Sequence, residues 1–181
     1  LLRYDHGQYT WKAGSSQMLS SKNMRLASNL CHVGIIVIFF GHLFGMLTPH
    51  WVYSPFLHAG TKQLLAIVVG GVAGAMCLVG GAMLLHRRIT NPRVRASSST
   101  MDTLILGLIV FQAFLGMITI LFSLGHMDGE MMLTLSSWAQ SIVFFGGGAA
   151  AYMENVSWIY KLHIFLGLTI ILLFPFSRLV H

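Results

Sequence analysis

LLAIVVGGVAGAMCLVGGAMLL, residues 64–85, runs for 22 positions without a charged side chain. At about 1.5 Å per residue, a helix of that length crosses a hydrocarbon layer roughly 30 Å thick. Within lipid the backbone must satisfy its own N–H and C=O groups, so the stretch predicts a spanning helix, set at about 64–86. Comparable apolar stretches lie outward on both sides, at about 27–48, 102–124 and 160–181. They predict an all-α, polytopic transmembrane helix bundle: four spans in one domain over residues 1–181.

Composition agrees. The 181 residues are 55% hydrophobic and only 9% charged, with a mean hydropathy of +0.73, which is membrane-protein usage. The formal charge of +6 raises the question of nucleic acid, but the basic residues alternate along the chain with the predicted spans. Arg3, Lys12, Lys22 and Arg25 precede the first span, and Arg87, Arg88, Arg93 and Arg95 follow the second. The loop after the first span holds only Lys62, and the last loop holds Asp128, Glu130 and Glu154 before Lys161. Under the positive-inside rule the chain ends and the Arg-rich loop face the cytoplasm, so the expected contacts are membrane lipid or a cytoplasmic partner and no nucleic acid.

Cys31 and Cys77 fall in or beside apolar helices, and neither begins a C-x-x-C-H motif, so neither a disulfide nor covalently attached haem is expected. Trp51 and Tyr53, just past Pro49, read as anchors at the outer interface. Asn91-Pro92 is expected to stop the second helix inside a basic turn, Arg87 to Thr100. Residues 125–159 contain MMLTLSSWAQSIVFF, too short and polar to cross. They predict an amphipathic or re-entrant cap on the outer face with a flexible run from Gly146 to Ala151. Met127, Met131 and Met132 suit packing at the bundle mouth better than a metal site.

Four histidines carry the functional reading. His32 and His42 lie on the first span, His163 and His181 on the last. An imidazole in lipid is costly without a partner, and a single one is more often structural. Four in antiparallel register favour cofactor ligation. At about 100° per residue, His163 and His181 return to one face and His32 and His42 lie about 80° apart, so each helix presents both rings to the interior. Since the first span runs outward and the last inward, His32 pairs with His181 near the cytoplasm and His42 with His163 near the outside. The rises differ, about 15 Å against about 27 Å, and helix tilt or a kink at Pro175 is expected to absorb the difference. The pairs suit two haems.

The glycines fit either a porphyrin or close helix packing. Gly34, Gly41 and Gly45 flank the first pair, Gly70, Gly71, Gly74, Gly80 and Gly81 stud the second span, and Gly167 follows His163. Arg88 and Arg178 at the cytoplasmic rim are candidates for pairing with haem propionates, against simple snorkelling. His6, His50, His58, His86 and His126 read as solvated or interfacial. No H-E-x-x-H, phosphate-binding loop or Ser/His/Asp set appears.

The strings NLCHVGIIVIFFGHLFGMLTPHW, NPRVRA and LHIFLGLTIILLFPFSRLVH resemble the gamma subunit of bacterial membrane-bound respiratory nitrate reductase. So do RYDHGQYTW, HMDGEMM and WAQS, and the resemblance runs through essentially the whole chain. It implies a dihaem cytochrome b of the bacterial cytoplasmic (inner) membrane that oxidises quinol and passes electrons to an iron-sulfur subunit and a molybdenum catalytic subunit, where nitrate is reduced. It implies two haem b, one on His32 and His181 near the cytoplasm, the other on His42 and His163 near the outer face. It also implies a quinol site beside the outer haem, with Lys62 and the Gly41-His42 region. The family has five spans and a hydrophilic tail, so the resemblance implies a further span before residue 1 and a tail after His181. Two alternatives stand beside it: the dihaem anchor of another cytoplasmic oxidoreductase, and a transporter whose histidines relay protons.

Overall fold

A computed structural model describes residues 23–125 and 127–176 of the chain. His181, Arg178, His6, His126, Arg3, Lys12 and Lys22 lie outside the described residues. Five principal helices are α1 (Met24–Leu47), α2 (Ala59–Thr90), α3 (Thr100–Leu124), α4 (Glu130–Val143) and α5 (Trp158–Leu173). One-turn helices occupy His50–Tyr53, Pro92–Ser97 and Ala149–Met153, and there is no strand among the described residues. α1, α2 and α3 are long and apolar enough to cross a membrane. α5 has 16 residues, about 24 Å of rise, and passes directly into a 3-10 turn at Phe174–Phe176. Pro175, where a kink was expected, therefore sits where the α-helical pattern ends.

Helix ends follow local chemistry. α2 stops at Thr90, and the Asn91 side chain accepts from the backbone N–H of Arg93 and Val94, capping the next short helix with Pro92 at its start. What read as a basic turn is thus a short helix anchored by Val94, which is 0% exposed. α3 opens on a capping box in which the Ser99 hydroxyl and the Asp102 carboxylate each accept a backbone N–H of the other residue, both at 3.1 Å. That accounts for an acidic residue at the mouth of an apolar helix.

The seam between α1 and α2 is close-packed. A Cβ on Gly34 would meet the Ala73 carbonyl and the Cys77 nitrogen at 2.6 Å, and one on Gly80 would meet the Cys31 nitrogen at 2.5 Å. Two reciprocal glycines let the backbones touch, the usual solution where lipid removes most of the hydrophobic drive for helix association. α2 continues onto α3, and α3 onto α5. Outward faces carry large apolar side chains, among them Phe44, Val72, Leu121 and Ile171, all well exposed; a surface of that kind is suited to lipid contact.

α4 is the expected cap. It packs on α1 and α2, and Gln140 Nε2 donates to the carbonyls of Met46 (2.8 Å) and Thr48 (3.4 Å), closing the end of α1. Gln63 Nε2 likewise donates to the Ser123 carbonyl and hydroxyl at 3.2 and 2.9 Å, tying the start of α2 to the end of α3. Gly129, at φ +85°, begins α4 against Ala59, a position where a side chain is excluded by both conformation and space. In the stretch expected to be a flexible glycine-alanine run, Gly148 turns the chain and Ala149–Met153 is helical.

Candidate functional site

His42 and His163 meet across the bundle. Their ring centroids are 6.3 Å apart with the planes at 37°. They come from α1 and α5, which are not among the extensively packed helix pairs, so the two imidazoles approach across a seam with few backbone contacts. Both lie about a turn and a half inside the same end of the bundle, the end where α2 begins and Lys62 stands.

The tautomer of His42 follows from its neighbour. His42 Nδ1 lies 2.9 Å from the Ile38 carbonyl, and His32 Nδ1 lies 2.7 Å from the Ser28 carbonyl and 3.2 Å from the Ser28 hydroxyl. A carbonyl only accepts, so each Nδ1 carries a proton, and in the neutral imidazole the lone pair is then on Nε2. Metal-ligating histidines are commonly oriented by such a bond from the other ring nitrogen. From α3, Gln112 Nε2 donates to the His163 carbonyl on α5 at 3.0 Å and lies 3.4 Å from the ring Nε2. His163 Nδ1 and Gln112 Oε1 are buried without hydrogen-bond partners among the described residues. Gly116 faces the ring, where a Cβ would meet Cε1 at 3.2 Å.

These residues fit a haem. His42 and His163 would hold it: two imidazoles sharing one metal ion through bonds of about 2 Å have ring centres roughly 6 Å apart, close to the 6.3 Å between these rings. The glycines divide accordingly. Gly34, Gly74, Gly80 and Gly81 each have side-chain or backbone atoms within 3 Å of a built Cβ and serve packing, whereas Gly41, Gly45 and Gly70 have nothing within 4 Å. Among the described residues no group of three or more His, Cys, Asp or Glu side chains converges, so a zinc-type centre has no donor set there.

The other expected site residues are placed less completely. His32 stands on α1 with its Nε2 available, but its expected partner His181 and the rim Arg178 lie outside the described residues. Arg88 is half-buried near the end of α2. A cleft of about 570 Å³ opens at that end, between Asn23, Ala27, Met83, His86 and Arg87, and neither His32 nor Arg88 lines it. His50, His58 and His86 are exposed.

Lys62 does not snorkel. Its Nζ is buried, donates to no acceptor among the described residues and lies 3.8 Å from the centre of the Tyr53 ring. The reading of Trp51 and Tyr53 as equivalent anchors separates here: Trp51 is 75% exposed, while Tyr53 turns inward over the lysine. Sequence reasoning missed Tyr53, Gln112 and Gln140 as structural partners. Gln112 had left one signal, an amide in the middle of an otherwise apolar span.

The family pattern of the nitrate reductase gamma subunit matches residues 1–181. The chain is 57% identical over 180 residues to the respiratory nitrate reductase 1 gamma chain of Escherichia coli strain K12, covering 99% of this chain and 80% of that one. It is 33% identical over 182 residues to the nitrate reductase gamma chain of Bacillus subtilis strain 168, covering 100% and 81%. Matched from one end to the other by a single pattern, and folded as a helical membrane bundle, this chain belongs to the nitrate reductase gamma subunit family.

Proposed function

We propose that the chain is the dihaem cytochrome b subunit of a respiratory nitrate reductase in the bacterial inner membrane. It oxidises quinol near the outer face and passes the electrons inward to an iron-sulfur subunit and a molybdenum catalytic subunit. The observation that carries this reading is the facing pair His42 and His163 at 6.3 Å, on helices that meet otherwise only loosely. These two residues hold the outer haem; His32 and His181 hold the inner one. Haem b supplies reversible one-electron chemistry when bound, with a potential tuned by its histidines and their surroundings.

The chain's own residues supply the rest. Lys62 Nζ, buried and with no acceptor among the described residues, donates to a quinol oxygen and stabilises the negative charge that develops as its proton leaves. Gly41 presents no side chain beside His42 and leaves space for a flat ring. Arg88, near the opposite end of α2, and Arg178, which lies outside the described residues, are the guanidinium groups for propionate or lipid phosphate at the cytoplasmic rim. Because each quinol loses two protons and two electrons, release of protons outside and delivery of electrons inside separates charge, about 2.3 kcal/mol per charge per 100 mV.

The test is a reduced-minus-oxidised visible spectrum of the full-length protein in membranes. Two b-type haems per chain are expected. A spectrum without b-type bands overturns the reading in favour of a histidine proton relay, and copurification with an oxidoreductase other than a molybdenum nitrate reductase reassigns the partner.

A further inference from the structure

A lysine placed to bind a ligand oxygen near lipid needs its charge compensated and its direction held without its donors being consumed. A carboxylate partner would do the first but occupy the donors and neutralise the charge. An aromatic face compensates a cation through its quadrupole and forms no directional hydrogen bond. Tyr53 is placed for that task. Its ring centre is 3.8 Å from Lys62 Nζ, and among the described residues no hydrogen-bond acceptor reaches the ammonium.

The ring is itself fixed. Its backbone carbonyl accepts from Phe56 and Leu57 N–H at 2.9 and 2.8 Å, which folds the chain back toward α2. The His50 ring packs edge-on against it, with centroids 5.2 Å apart and planes at 79°. Burial raises the phenol pKa above its ordinary value, so at neutral pH the ring is an uncharged π face. The neighbours Trp51 and Phe56 are exposed.

We propose that Tyr53 is a positioning residue of the quinol site: its ring face holds the Lys62 ammonium in place and leaves the N–H groups directed away from the ring for the quinol oxygen. This rests on the quinol role of Lys62 given above. It separates ring from hydroxyl, since a phenylalanine offers the same face.

The experiment uses the full-length chain assembled with its partner subunits in membranes, with a short-chain naphthoquinol as electron donor and the haem spectrum as the check on folding. Tyr53→Leu is expected to raise KM roughly threefold to tenfold with kcat within about twofold of wild type, the pattern of lost binding. Tyr53→Phe is expected to recover most of that loss. In a Lys62→Ala background, Tyr53→Leu is expected to add little, because the two residues act as one unit. An equal KM increase with and without Lys62, or Tyr53→Phe as impaired as Tyr53→Leu, overturns the positioning role. Raised KM in Lys62→Ala with wild-type KM in Tyr53→Leu overturns it while leaving the quinol site standing; unchanged KM in Lys62→Ala removes both.

Discussion

Replacing His42 with alanine removes one of two imidazoles that face each other at 6.3 Å, while His32, ten residues earlier on the same helix, keeps its own bond to Ser28. His42→Ala is therefore expected to halve the b-haem content, and potentiometric titration should show one remaining component; retention of both sets the outer pairing aside. The four histidines were legible as a group in the sequence, because an ionisable ring in an apolar run is an energetic anomaly wherever it occurs. Their tautomers were not legible. The proton on His42 Nδ1 is assigned by the Ile38 carbonyl at 2.9 Å, a bond that depends on the rotamer adopted. The same holds for Lys62, where snorkelling and burial are equally compatible with a lone cation at a helix mouth. Only the folding back of Tyr53 distinguishes them.

At the scale of elements, the α1–α2 seam is the firmest part of the bundle and the one most exposed to small changes of volume. Gly80 approaches the Cys31 backbone so closely that a Cβ would lie 2.5 Å from its nitrogen, and backbone cannot step aside as a side-chain tip can. Gly80→Val is expected to lower stability by about 1–3 kcal/mol through overpacking, read as a lower midpoint of thermal unfolding in detergent. By contrast Gly70→Ala, with nothing within 4 Å, should leave that midpoint nearly unchanged. Element types and approximate ends were readable from hydropathy and caps: Asn91-Pro92 stops α2, and the apolar stretch at about 102–124 became α3 at Thr100–Leu124. The outer segment was less readable. Its glycine-alanine run looked flexible because composition records propensity and not the turn at Gly148 that starts the next helix.

For the whole molecule, the distribution of charge predicts which end faces which compartment. Ala96 and Glu154 are both exposed, one in the basic segment after α2 and the other in the acidic connection between α4 and α5, while Cys31 and Cys77 are buried. A membrane-impermeant thiol reagent added from the outside is expected to label Glu154→Cys and spare Ala96→Cys; the opposite pattern reverses the topology and the direction of charge transfer with it. The sequence by itself determined the membrane class, the three long apolar helices and the presence of histidines in apolar stretches, since hydropathy and helical period are local sums over neighbouring residues. Topology already paired His42 with His163; tertiary structure alone decided that the two rings lie 6.3 Å apart over a loose seam, which glycines are packed and which stand clear, and that Tyr53 lies over Lys62. Each of those depends on how helices distant along the chain approach one another, and that is set by packing between faces, which no stretch of sequence records on its own.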